Sequence, residues 1–269
     1  MKYTGDSMLL EVKNLNVSFE QYTSFFKKRI VHVVDDLSID LKEGEVLAIF
    51  GASGSGKSLL AHAILGLLPY NAIVSGDIFY KGCPLTKARL KNYYGKEISF
   101  IPQTVNSLNP LLKVGKQSSY TAKKEDVLKV YQSFGLDKEV MDLYPHELSG
   151  GMMRRVLVSD AILSDSKLII ADEPTPGMDE ASSQKIIGYF KSLKERNKSA
   201  LLITHDIEMA MECADRIAFF YNGTIIEVAS LSQLENGGAG LVEPYSRALF
   251  RALPENGFNP IKEGHLCSK

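Results

Sequence analysis

The sequence predicts an α/β fold: a largely parallel sheet with an antiparallel β edge, into which an α-helical subdomain is inserted. Three observations carry this. Short, unbroken apolar runs recur along the chain, each suited to a strand buried on both faces. They alternate with stretches whose apolar residues fall at helical spacing, as in parallel-sheet proteins. Between residues 106 and 163 the runs stop and only helical patterns remain.

In chain order, Leu37, Ile39 and Leu41 alternate with Ser38 and Asp40, the two-residue period of a half-buried strand. Glu43-Gly44 turns the chain into residues 46–50, an apolar run that reads as a buried strand. A glycine-rich stretch follows. Leu60, Ala63, Ile64, Leu67 and Leu68 then recur at helical spacing, and Pro69 is expected to close that helix. Residues 98–101 read as a strand. Val127, Val130, Tyr131 and Phe134 mark an amphipathic helix ended by Gly135, and residues 152–163 read as another. Residues 168–171 and 200–203 are short buried strands, and 217–221 with 224–228 flank Asn222-Gly223, a hairpin signal. After about Asn236 the chain is rich in Gly, Pro and polar residues, apart from a helical candidate at 245–253. The expected division is an α/β core (1–103 and 164–235), a helical subdomain (104–163) and a C-terminal tail (236–269).

A chain of 269 residues suffices for one large domain with an inserted piece. The net charge of −1 implies no general attraction to nucleic acid or to anionic lipid. No apolar run approaches the ~20 residues that span a bilayer. The first six residues lack the apolar stretch of a signal peptide, so a cytoplasmic chain is expected. Cys83, Cys213 and Cys267 are scattered without metal-ligand spacing and read as reduced thiols.

The motif that carries most chemistry is Gly51-Ala52-Ser53-Gly54-Ser55-Gly56-Lys57-Ser58, a full match to G-x-x-x-x-G-K-[ST]. Its glycines allow backbone angles that turn successive N–H groups inward as a nest for phosphate oxygens. The helix that follows adds its N-terminal partial positive charge. Lys57 is suited to reach the β- and γ-phosphates, and the Ser58 hydroxyl to take a Mg²⁺ position. Strand, phosphate loop and helix in that order resemble the core unit of the P-loop NTPase (RecA-like) folds, a resemblance that implies nucleotide binding.

A second centre is acidic. Residues 168–171 end in Asp172-Glu173, and carboxylates at the C-terminal end of a parallel strand lie beside the phosphate loop in such folds. Asp172 is expected to hold Mg²⁺, and Glu173 to orient and polarise the attacking water. A third feature is Leu148-Ser149-Gly150-Gly151-Met152, where Ser149 fits the N-cap of the next helix and two glycines leave its N-terminus uncovered. That is another anion site, although one chain already holds the triphosphate at its own loop. The economical reading is that it grips nucleotide bound by a second subunit.

Taken in order, the phosphate loop, Gln103, the segment from Leu148 to Met152, Asp172-Glu173 and His205 resemble the ATP-binding cassette (ABC) family. The resemblance runs from about Leu9 to Pro254. It implies that Gln103 joins Mg²⁺ and water to the membrane-facing side, that His205 contacts the γ-phosphate, and that Asp179 lies in a loop crossing a dimer interface. It also implies an aromatic residue stacked on adenine; Phe19 is the expected one, with Tyr22, Phe25 and Phe26 as rivals. Ser107-Leu108-Asn109-Pro110, Tyr144-Pro145-His146-Glu147 and Pro244-Tyr245-Ser246-Arg247-Ala248-Leu249 are similar to the oligopeptide, dipeptide and nickel importer branch.

That branch implies a heterodimer with a second ABC ATPase subunit, two transmembrane permease subunits and an extracytoplasmic substrate-binding protein, with this chain on the cytoplasmic face of the membrane. The expected function is ATP hydrolysis that powers import of a peptide, nickel or a metal chelate, with ATP and Mg²⁺ as cofactors and no nucleic acid. The alternatives are a non-transport ABC ATPase in DNA repair or translation, a hydrolysis-deficient regulatory subunit, and a P-loop kinase or GTPase. The family pattern is departed from at four points. Met152 stands where Gln is common in the family, although the importer branch often carries Met there. Pro176-Gly177-Met178-Asp179 replaces the usual Thr/Ser-Ala-Leu-Asp, which implies altered signalling between sites. Met153 precedes Arg154 and Arg155, so the basic pattern after the signature is shifted. Cys267 is the tail's one cysteine, so no iron–sulfur cluster is expected.

Overall fold

A computed structural model describes residues 7–24, 27–105, 107–120 and 122–251. Strand β1 (Met8–Ser24) pairs antiparallel with β2 (Lys27–Lys42). Next come β3 (Val46–Phe50), the phosphate loop and α1 (Lys57–Ile64). Strands β4 (Ala72–Tyr80) and β5 (Cys83–Pro84), helix α2 (Lys87–Tyr93) and strand β6 (Ile98–Ile101) complete the first part of the core. Helices α3 (Val114–Ser118), α4 (Lys124–Ser133) and α5 (Gly150–Leu163), with two short 3-10 turns, form the insert. The chain then returns as β7 (Leu168–Asp172), α6 (Glu180–Lys191), β8 (Ser199–Thr204) and α7 (Ile207–Cys213). It continues through β9 (Arg216–Tyr221), β10 (Thr224–Ser230), α8 (Leu231–Gly238) and α9 (Pro244–Arg251).

Six strands form the central sheet in the order β10-β9-β3-β8-β7-β6, parallel except for the β9–β10 hairpin. Asn222 and Gly223 turn that hairpin at positive φ, 48° and 87°, as the sequence predicted. Alternate residues along a strand face opposite sides, and here both sides are buried. Val46, Ala48 and Phe50 meet α6, α7 and α9 on one face; Leu47 and Ile49 meet α1 and the second sheet on the other. Burial on both faces is why these strands are apolar throughout.

The second sheet, β2-β1-β4-β5, is wholly antiparallel. The sequence predicted only residues 37–41 of it. Its alternation is broken by register shifts in β1, and β4 is exposed along most of its length. Helix α1 is also shorter than expected. Gly66, at φ 63°, ends it before Pro69 is reached. Toward the C-terminus the expected tail contains ordered structure: α8 spans the 235/236 boundary, and Leu241 and Phe250 belong to the main core.

The helical insert has its own core, built on Val114, Val127, Tyr131, Leu136 and Val156. Buried within it is a polar group. Tyr131 Oη and Ser118 Oγ are 2.7 Å apart, and Asp160 on α5 faces Ser118. Asp160 as a residue is mostly buried, and its Oδ1 is fully enclosed and has no partner. Burial outweighs the Ser118 contact and pushes the carboxyl up to about 7. A raised folded pKa favours the protonated acid, so stability is greatest below the ordinary carboxylate range and declines as pH rises to about 7. Asp160→Asn is therefore expected to raise the melting temperature by about 3 °C or more at pH 8 and to leave it unchanged near pH 4. Thermal scans of both proteins at the two pH values would show this, and an equal shift at both would refute it.

Candidate functional site

Four parallel strands deliver the site segments to one edge of the sheet, at their carboxyl ends. The phosphate loop follows β3, Pro102-Gln103 follows β6, Asp172-Glu173 closes β7, and His205 follows β8. Gly54 and Gly56 lie at φ 74° and 107°, left-handed conformations that an L side chain resists. Lys57 begins α1 and is 4% exposed. Its Nζ donates to the Gly51 carbonyl at 2.8 Å and the Ala52 carbonyl at 2.7 Å, which holds the ammonium against the loop. Burial lowers its pKa against the attraction of Glu173 and Asp172. Ser55 Oγ is buried without a partner.

Asp172 is 1% exposed, and burial raises its carboxyl although the Ser58 hydroxyl lies beside it. Its Oδ1 is an enclosed acceptor with no donor. Glu173 takes φ 48°, a strained backbone for a non-glycine residue, and is fixed there by its N–H donating to the Ile203 carbonyl at 2.8 Å. That twist turns its side chain toward two partners. Gln103 Nε2 donates to Glu173 Oε2 at 3.0 Å, and His205 Nδ1 lies 2.9 Å from Glu173 Oε1. Burial pushes the Glu173 carboxyl up, but these two hydrogen bonds and Lys57 together hold it below the usual carboxylate range.

Ser149 caps α5, its Oγ accepting from the Met152 N–H at 3.2 Å. Leu148 is buried in the helical core, whereas Ser149 and Gly150 are exposed. Gly151 lies close to the loop after β7, where an added Cβ would sit 3.1 Å from the Gly177 carbonyl oxygen. Asp179 caps α6, accepting from Ser182 N–H and Ser182 Oγ–H, both at 2.9 Å.

Two cavities flank these groups. One of about 500 Å³ is lined by Ala52, Ser53, Gly54 and Ser55 together with His32, Val33, Tyr221 and Tyr245. The other, of about 350 Å³, is bordered by Glu173, His205, Pro176 and Gly177. Phe19 does not line the first. It is half-buried in β1, paired with Val31 and Ala72, and packs against the core beneath the second sheet. Its rivals Phe25 and Phe26 lie outside the described residues. Phe220, Tyr221 and Tyr245 do line the phosphate-loop cavity, and the rings of the two tyrosines have centroids 3.7 Å apart. Sequence reasoning assigned them no part in the site, although Tyr245 falls in the segment quoted as a branch marker.

The chain matches the family model described as "ABC transporter" over residues 34–176. It is 34% identical over 265 residues to the oligopeptide transport ATP-binding protein OppD of Bacillus subtilis, covering 91% of this chain and 72% of that one. To the dipeptide transport ATP-binding protein DppD of Escherichia coli it is 34% identical over 265 residues, covering 92% and 79%. Among solved structures, a dimeric post-hydrolysis state of the ATP-binding cassette MJ0796 bound to ADP and Pi superposes with a TM-score of 0.71 at 25% identity. That match covers 83% of this chain and 99% of the other. Phosphate loop, acidic strand end, capped signature helix and sequence kinship agree, and the chain belongs to the ABC transporter family.

Proposed function

We propose that this chain is the ATP-hydrolysing subunit of an importer for peptides, on the cytoplasmic face of the membrane. The observation that carries the reading is the arrangement at the sheet edge. Glu173, beside the phosphate loop, is held by Gln103 and His205 from the two neighbouring strand ends. The names of its relatives, which are peptide transport ATP-binding proteins, support the cargo class.

The residues present fit a magnesium–triphosphate. Lys57 supplies a buried ammonium, Ser55 Oγ an unpaired hydroxyl, and Asp172 Oδ1 an unpaired acceptor near Ser58. Among the described residues no group of three His, Cys, Asp or Glu side chains could hold a metal, so Ser58, Asp172 and Gln103 would share the cation with phosphate oxygens and water. Mg²⁺, when bound, neutralises charge on the β- and γ-phosphates. Lys57 leaves the Gly51 and Ala52 carbonyls for the phosphates. Glu173 then orients the water and takes its proton as oxygen attacks the γ-phosphorus and ADP leaves. His205 donates toward the transferred phosphoryl group, and the exposed Ser149 end of α5 grips nucleotide on a second cassette.

Asp179, at the head of α6, lies in the loop that would cross to that second subunit. The proposed partners are this second ATPase subunit, two transmembrane permeases and an extracytoplasmic binding protein. Among the described residues no helix is long and apolar enough to cross a membrane. Leu111 and Tyr120, 82% and 70% exposed beyond the Gln103 loop, offer apolar surface to a permease.

The test is transport by the assembled complex in proteoliposomes with ATP inside. Uptake of a labelled peptide that requires both ATP and this subunit is the expected result. Nickel uptake in its place would replace the cargo, and hydrolysis indifferent to the permeases would overturn the importer reading.

A further inference from the structure

Arg154 stands on the second turn of α5, five residues after the signature serine, and is 6% exposed. Among the described residues no carboxylate pairs with it. Instead Nη1 donates to the Pro102 carbonyl at 2.6 Å, and Nη2 donates to the Gln103 carbonyl. Its Nε is buried with no partner. Burial lowers its pKa against the attraction of Asp172 and Glu173. A buried guanidinium without an ion pair is a costly way to fill space between two elements, where an apolar side chain would serve packing better. What the guanidinium offers is a rigid fork that engages two successive carbonyls at once.

Its neighbour behaves differently. Arg155 Nη1 donates to the Phe134 carbonyl at 3.1 Å, tying α5 to α4 within the helical insert. Arg154 crosses out of the insert to the loop that follows β6 in the α/β core. That loop carries Gln103, whose side chain donates to Glu173. A continuous path of hydrogen bonds therefore runs from the signature helix through Arg154 to the Gln103 backbone, then through the Gln103 side chain to the catalytic carboxylate.

We propose that Arg154 is a positioning residue that clamps the Gln103 loop to the signature helix, so that displacement of the helical insert is transmitted to Glu173. This rests on the ATPase reading of the site. Among the described residues Arg154 makes no hydrogen bond to Glu173, but its charge attracts both Asp172 and Glu173. Arg154→Lys, which keeps that charge, therefore isolates the part that acts through the fork on the Gln103 loop.

The sequence contains no tryptophan, so Thr104→Trp places a single reporter in the loop. In the nucleotide-free chain, adding Arg154→Met is expected to lower the residual fluorescence anisotropy of that reporter by about half, because both clamping donors are lost. In the assembled transporter, Arg154→Met alone is expected to lower kcat about tenfold with KM for ATP within about twofold. Arg154→Lys, which keeps the charge but not the fork, should recover only part of kcat. Unchanged anisotropy, or a KM that rises as far as kcat falls, would overturn the clamp. If Arg154→Met does not fold, Arg154→Lys is combined with Gln103→Ala. One route predicts that the double variant turns over as slowly as Gln103→Ala alone, and multiplied losses would refute it. Absence of turnover in the wild-type complex would count against the ATPase reading, whereas the anisotropy measurement judges the clamp by itself.

Discussion

Glu173→Gln is expected to lower ATP turnover at this site by about 100-fold or more while ATP binding stays within about threefold. The substitution keeps the shape of the side chain and its left-handed backbone. The new amide oxygen still accepts from Gln103, and its NH₂ group faces His205, so the network has reason to persist. What disappears is the charge that orients water and the capacity to take a proton. The carboxylate is held below the usual range, so it stays ionised at neutral pH, and the acid-side fall in wild-type turnover should come below the ordinary carboxylate range. Hydrolysis by the assembled transporter, with nucleotide binding measured in parallel, checks this. Equal rates with and without the substitution would assign the measured turnover to the second cassette and leave this subunit a regulatory one.

Residues buried on both faces of the central sheet announced themselves. Residues 46–50, 168–171 and 200–203 are apolar without interruption because α-helices or the second sheet cover each side. The phosphate loop and the acidic strand end were equally plain, since their chemistry requires particular residue types at short spacing. The second sheet was not. Asn14 takes φ 48° where β1 slips register against β4, and five successive residues of β4 are exposed, so neither strand carries a clean alternation. Helix α2 buries only Leu90, and α8 ends in Asn-Gly-Gly, a composition that reads as loop.

Within the site, the order of motifs along the chain said which segments matter but not which side chains meet. Phe19 fits an aromatic pattern, yet pairing with Val31 and Ala72 commits it to the underside of the second sheet. Tyr221 and Tyr245 reach the phosphate-loop cavity because β9 flanks β3 and α9 folds back on the core, contacts that join residues more than 150 positions apart. Arg154 and Asp160 lie six residues apart on one helix, where spacing alone implies surface charge. Their burial depends on what the helix packs against: the Gln103 loop on one side, and the Ser118–Tyr131 pair on the other.

The phosphate loop yields a second large effect, because its glycines are present for different reasons. Gly51 needs no unusual backbone angle. It lies so near β9 that an added Cβ would stand 2.5 Å from the Phe220 carbonyl oxygen. That oxygen belongs to a strand parallel to β3, in register with it from Leu47 to Phe50, and a backbone so placed has little room to yield. Gly54 is the reverse case, with φ 74° and nothing within 4 Å of an added Cβ. Gly54→Ala is therefore expected to cost about 1 kcal/mol, the penalty of a left-handed L residue. Gly51→Ala is expected to cost about 3 kcal/mol or more, as overpacking against a fixed wall. The loop must also swing away from β9, carrying with it the Gly51 and Ala52 carbonyls that hold Lys57, so ATP affinity should fall about tenfold or more. Denaturant unfolding and nucleotide titration of both variants separate the two causes. If Gly51→Ala binds ATP as the wild type does, or if the two variants lose the same stability, close approach to Phe220 is not what position 51 requires.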